Sequence, residues 1–84
     1  MRSIREDLRS LGVSLEGKYI LYTTKNKDRM VLVPYRHIQS IELRDKKVSI
    51  LTGSMEKLVI ELPSEVMAKQ LFDELMLQLE KAYL

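Results

Sequence analysis

The sequence predicts an α+β fold: an antiparallel β-meander of about five strands, forming a curved sheet or partial barrel, capped by a C-terminal amphipathic helix. Three observations point there. Residues 64–83, SEVMAKQLFDELMLQLEKAY, repeat apolar side chains at helical spacing. Between residues 18 and 62, short runs rich in β-branched and aromatic residues alternate with polar turns. Those turns are too short for crossovers, since a parallel neighbour needs about a dozen residues or more, so consecutive strands must pair antiparallel.

At the N-terminus, Ser3-Ile4-Arg5-Glu6 matches a capping box, in which the Ser side chain accepts from the amide three residues on and the Glu reaches back. Ile4, Leu8 and Leu11 follow at helical spacing and Gly12 suits the left-handed position past a helix end. A short helix over residues 4–11 is expected, within an N-terminal segment 1–12. Two turns are marginal alone, so those three apolar side chains should dock on the body or on another copy; the alternative is a frayed N-terminus.

Val13 to Glu16 extends briefly before Gly17 breaks the pattern. The strands then read Lys18–Thr24, Arg29–Val33, Ile38–Arg44, Val48–Thr52 and Lys57–Leu62. Lys25-Asn26-Lys27-Asp28, Asp45-Lys46-Lys47 and Gly53-Ser54 are the turns. Pro34 cannot donate to a ladder, so the second strand ends there and Tyr35-Arg36-His37 makes a corner. Val48 and Ile50, then Leu58, Ile60 and Leu62, alternate as one buried face requires. Pro63 stops the last strand and Ser64 is a good N-cap for the long helix. On a wheel, Met67, Ala68, Leu71, Phe72, Leu75, Met76, Leu79, Ala82 and Tyr83 share one side, wider than the ~100° stripe a surface helix needs. The whole chain of 84 residues reads as one domain.

Composition narrows the chemistry. There is no cysteine and one histidine, so neither a disulfide framework nor a typical zinc site can be built. His37 is the only candidate base, and no sequence signal supplies its nucleophile or orienting carboxylate. Gly12, Gly17 and Gly53 are isolated and make no phosphate-cradling loop. No catalytic residue, metal ligand or cofactor is assigned, and the sequence argues against an enzyme. No run approaches the ~20 apolar residues of a membrane span, and the charged start lacks the apolar core of a signal peptide. A cytoplasmic protein is the expectation.

Two surface features stand out. Net charge is only +2, but residues 25–47 carry +4 and residues 56–81 carry −3. Lys25, Lys27, Arg29, Arg36, Arg44, Lys46 and Lys47 could form a basic rim for nucleic acid or a lipid head-group phosphate if the turns share one end. Lysine-rich turns also keep a small sheet soluble and guard its edges, which is the commoner use. The second feature is surplus apolar surface. Val66 and Leu77 fall on the polar side of the wheel, Met76 and Tyr83 on its flank, and Met30 and Leu32 belong to a strand apolar on both faces. A single interior cannot bury them all, so a homo-oligomer or a protein partner is expected to cover Val66, Met76, Leu77, Tyr83, Met30 and Leu32.

Val33-Pro34-Tyr35-Arg36-His37-Ile38-Gln39-Ser40-Ile41, an apolar strand, a Pro-Tyr corner and Ile-x-Ser-Ile, resembles the strand–corner–strand of bacterial pleckstrin-homology-like domains. The turn at Asp45-Lys46-Lys47, the two strands after it and the closing helix follow in the order such domains use. The resemblance covers residues 19–83. Such domains have seven strands before the helix, so this chain is shorter. The resemblance implies a non-catalytic scaffold that binds proteins or lipid head groups, and it transfers no site residues.

Overall fold

The computed structural model describes residues 4–83. Ser3 of the expected capping box and Leu84 lie outside them. The order is helix α1 (Ile4–Ser10), strands β1 (Val13–Leu15), β2 (Tyr19–Thr23) and β3 (Met30–Pro34), a one-turn 3-10 corner (Tyr35–His37), strands β4 (Ile38–Arg44), β5 (Lys47–Thr52) and β6 (Lys57–Glu61), and helix α2 (Glu65–Tyr83). The α+β class, the antiparallel pairing and both helices are as the sequence predicts. The brief extension after Gly12 is a sixth strand, β1, paired with β2 from Val13↔Tyr22 to Leu15↔Ile20.

The strands do not form one ribbon. They make two three-stranded meanders, β1-β2-β3 and β4-β5-β6, and β3 does not pair with β4. The reason is local: Pro34 has no amide to continue a ladder, and the corner re-aims the chain onto the second sheet. The sheets therefore do not close into a barrel.

Both sheets and both helices share one core. Val13, Leu15, Ile20, Tyr22 and Val33 from the first sheet meet Ile38, Val48, Ile50, Ile60 and Leu62 from the second, with Leu8, Tyr35, Ala68, Leu71 and Leu75 between them. Inward positions alternate along the strands, as in β2, where Ile20 and Tyr22 are buried and their neighbours are not, except at the start of β4, where Gln39 and Ser40 are both exposed at a register shift. Helix α2 packs on β4, β5 and the corner. Ser64 caps it, its Oγ accepting from the Met67 amide at 3.2 Å. Gln78 is the one polar residue on its buried stripe among the described residues. Helix α1 docks through Leu8, which is fully buried, while Leu11 stays largely exposed. Arg5 reaches Glu74 on α2 at 3.8 Å and the Leu15 carbonyl at 3.4 Å.

Two turn positions take positive φ, one filled by glycine and the other by methionine. Gly12 ends α1 at φ +87°, and a Cβ there would meet the Thr23 carbonyl oxygen at 2.6 Å. The Gly12 carbonyl in turn accepts the Thr23 amide at 2.8 Å, so no side chain fits. In the β5–β6 turn the Thr52 amide donates to the Glu56 carbonyl and the Met55 amide to the Thr52 carbonyl. Met55 there takes φ 69°, with its side chain in solvent. That is the left-handed place of a three-residue hairpin loop, normally given to glycine. Gly12→Ala should therefore cost about 2 kcal/mol or more, and Met55→Gly should raise stability by about 0.5–1 kcal/mol. Urea midpoints at constant m-value measure both. An unchanged midpoint for Gly12→Ala would contradict the close approach.

Candidate functional site

The corner is the structural centre of the surface as well as of the core. Tyr35, 1% exposed, donates its hydroxyl to the Glu16 carbonyl at 2.6 Å, tying the corner to the β1–β2 turn. The Tyr35 amide donates to the Lys18 carbonyl at 3.0 Å, extending the β2–β3 ladder to the same place. From the other side, the Tyr83 hydroxyl donates to the carbonyls of Arg36 at 2.9 Å and Ile38 at 3.3 Å. The last turn of α2 is thus pinned to the corner although the Tyr83 ring stays exposed.

Two clefts flank this corner. The first, of about 580 Å³, opens between the unpaired edges of β3 and β4 and includes Val31, Leu32, Pro34, Arg36, Gln39 and Tyr83 in its walls. The second, of about 570 Å³, lies between the β1–β2 turn, the corner and the end of α2. Lys18, Arg36, His37 and Lys81 line it, with Gly17, Pro34, Tyr35 and Ala82 and no carboxylate. Three elements distant in sequence bring those basic groups together, so spacing along the chain gave no signal for the cluster.

The expected apolar residues are all exposed, and the structure sorts them. Leu32 and Tyr83 both line the first cleft. Met30 sits on the same face of β3 as Leu32, two residues away. Met76 lies on the same flank of α2 as Tyr83, two turns back, while Val66 and Leu77 occupy the outer side of the helix. Across the ladder Leu21 pairs with Leu32, Tyr19 with Pro34 and Thr23 with Met30. These pairs make the outer face of the first sheet apolar around Leu32, which is 52% exposed, and Met30, 64% exposed. The sequence places Leu21 in a strand without showing that its outward side chain neighbours Leu32.

The basic rim is divided. Lys25 and Lys46 do share a cleft, as expected if the turns meet at one end, but Glu61 stands in it, 3.4 Å from Lys25 Nζ. Lys27 and Lys25 line a shallow site with Arg9. Arg44 and Lys47 face each other across β4–β5. Arg36 lies at the far end of β3 from Arg29, about 17 Å of strand away.

His37 borders both clefts. Ser54, Thr52 and Glu56 share the first with it, yet the Ser54 hydroxyl bonds Thr52 at 3.0 Å, and the contact between the strands is the Gly53 amide donating to the His37 carbonyl at 2.8 Å. A nucleophile must bond its base to be activated, and no such bond joins Ser54 to His37 among the described residues. No group of His, Asp or Glu there could hold a metal ion, and no helix is long and apolar enough to cross a membrane. The chain matches no protein-family model and no curated protein at a significant level.

Burial pushes the Tyr35 hydroxyl up to about 12 from 10.0, with the Arg5 charge opposing and Glu16 and Glu74 adding. A raised folded value means its stabilisation is intact below pH 10 and is lost as pH climbs toward 12. Tyr35→Phe should cost about 1 kcal/mol at neutral pH, because the Glu16 carbonyl loses its donor. The stability gap between native protein and variant should then narrow by at most about 1.4 kcal/mol per pH unit in that alkaline window, and reverse once the loss exceeds the neutral-pH cost. Chemical denaturation at stepped pH reads the gap, and a constant gap would contradict the buried clasp.

Proposed function

We propose that this protein is a small non-enzymatic interaction module that associates with itself and docks a protein partner through apolar surface. The support is the outer face of the first sheet, where Tyr19, Leu21, Met30, Leu32 and Pro34 adjoin one another next to an unpaired strand edge. A contiguous apolar patch of this kind marks an interaction site more often than scattered exposed side chains do. The resemblance of Val33–Ile41 to pleckstrin-homology-like domains, which implies a non-catalytic scaffold for proteins or lipid head groups, points the same way. Static light scattering over a concentration series is expected to show a mass rising above that of the monomer, with Leu77→Glu reducing it less than charge placed on β3. A flat monomer mass at the highest concentrations would remove self-association.

A second reading, phosphate binding, is favoured by the cleft at Lys18, Arg36, His37 and Lys81 rather than by the rim. Gathering cations from three elements without a carboxylate leaves a positive concavity that an anion would relieve. Retention on heparin at ~50 mM salt, where phosphate-type contacts are strongest, should be lost in Lys18→Glu/Lys81→Glu and kept in Lys46→Glu/Lys47→Glu. Equal retention of native protein and both variants, or none at all, would end this reading.

A further inference from the structure

We infer that the surface through which this chain associates with itself is the open edge of β3, and that its occupant is β3 of a second copy, paired antiparallel across a two-fold axis at Leu32. The inference rests on the self-association reading and names the site and the geometry.

The four sheet edges differ in how they are guarded. Natural sheets protect edges with short strands, charges, bulges or a covering element. β1 is only Val13–Leu15 and α1 packs against it. β4 carries a register irregularity between Ile38 and Ser40 and exposes Glu42 and Arg44. β6 exposes Lys57 and Glu61 at its two ends. β3, MVLVP, carries no charge and no bulge, and only Pro34 at its end is a guard.

The register shows which backbone groups that edge presents. Tyr35 donates to Lys18 and Thr24 to Arg29, so with strict alternation Val31 and Val33 bond β2 while Met30, Leu32 and Pro34 turn their backbone outward. A second β3 running antiparallel with Leu32 opposite itself exchanges two Leu32 amide–carbonyl bonds. The Met30 amide of each copy then meets the Pro34 carbonyl of the other, using the lone pair that the first bond of the 3-10 corner leaves free. Proline's missing amide thus falls at the last rung, where its loss is cheapest. Charges at the meeting ends are mixed, with Lys27, Asp28 and Arg29 of one copy lying toward Arg36 of the other, so the pairing rests on backbone bonds and apolar contact rather than on charge. The two leucines join their apolar faces into one band. Identical edges meeting about a two-fold close the assembly at two copies, whereas pairing β3 with a different edge would propagate.

The chain has no cysteine, so Leu32→Cys places a single thiol at the axis. Opposed residues in a hydrogen-bonded pair have Cα atoms about 5.5 Å apart, within the range a disulfide spans. Mild oxidation should give a covalent dimer from Leu32→Cys, while Val59→Cys on the β6 edge should stay uncrosslinked. Leu32→Lys sets like charges opposite each other and should raise the dissociation constant about tenfold or more in sedimentation or light scattering, with the far-UV circular dichroism unchanged and the melting curve equal to the native one only at dilutions where the native protein is monomeric. Met30→Lys is the second variant if Leu32→Lys proves poorly soluble. Native-like association of both lysine variants would overturn the β3 pairing and leave self-association standing. A native protein that stays monomeric at all concentrations would overturn both.

Discussion

The corner at Pro34-Tyr35-Arg36-His37 is the constraint on which the rest depends. Proline ends one ladder because it has no amide to give, and the next three residues turn the chain onto a second sheet. Tyr35 goes into the core with its ring, and its hydroxyl bonds the Glu16 carbonyl, so the first hairpin cannot drift from the corner. Tyr83 makes the matching bond from the end of α2. A chain this short buries only about 60–65% of the surface its unfolded form exposes, and fixing three elements at one place lets two small sheets and a helix share one interior.

The same corner creates the surface. Dividing six strands into two meanders leaves β3 and β4 with free edges that diverge from a common point, and the cleft between them is the outcome. On the other side, the β1–β2 turn and the helix end bring Lys18 and Lys81 beside Arg36 and His37. One device that satisfies the core thus places a cleft of mixed apolar and polar lining and a cationic cleft on either side of Pro34, Arg36 and His37. The positive-φ positions fall in connections: Gly12 joins α1 to β1, and Met55 is in the β5–β6 turn, whose Gly53 amide bonds the His37 carbonyl of the corner.

Much of the framework was legible in local chemistry. Helical spacing from Met67 to Ala82, the Ser64 cap, the polar turns and the period-two alternation of Val48 and Ile50 each follow from short-range rules. The exposure of Val66 and Leu77 was legible too, because a wheel places them opposite the buried stripe. β1 was only half visible, since three residues carry too little pattern to separate a strand from an extended linker. Gln78 falls between Met67 and Leu71 on the same wheel, so its place on the stripe was legible, while the depth of its burial is set by the elements packed over it.

What the sequence determined by itself was the kind of element at each place and the antiparallel sense of the pairing, because turn length and side-chain period act over a few residues. What only the tertiary structure decided was that the ribbon divides at the corner, that Leu21 lies beside Leu32, and that Lys18 meets Lys81. Those depend on how sheets and helix pack around a shared core. Packing joins residues distant along the chain, and no local rule carries that information.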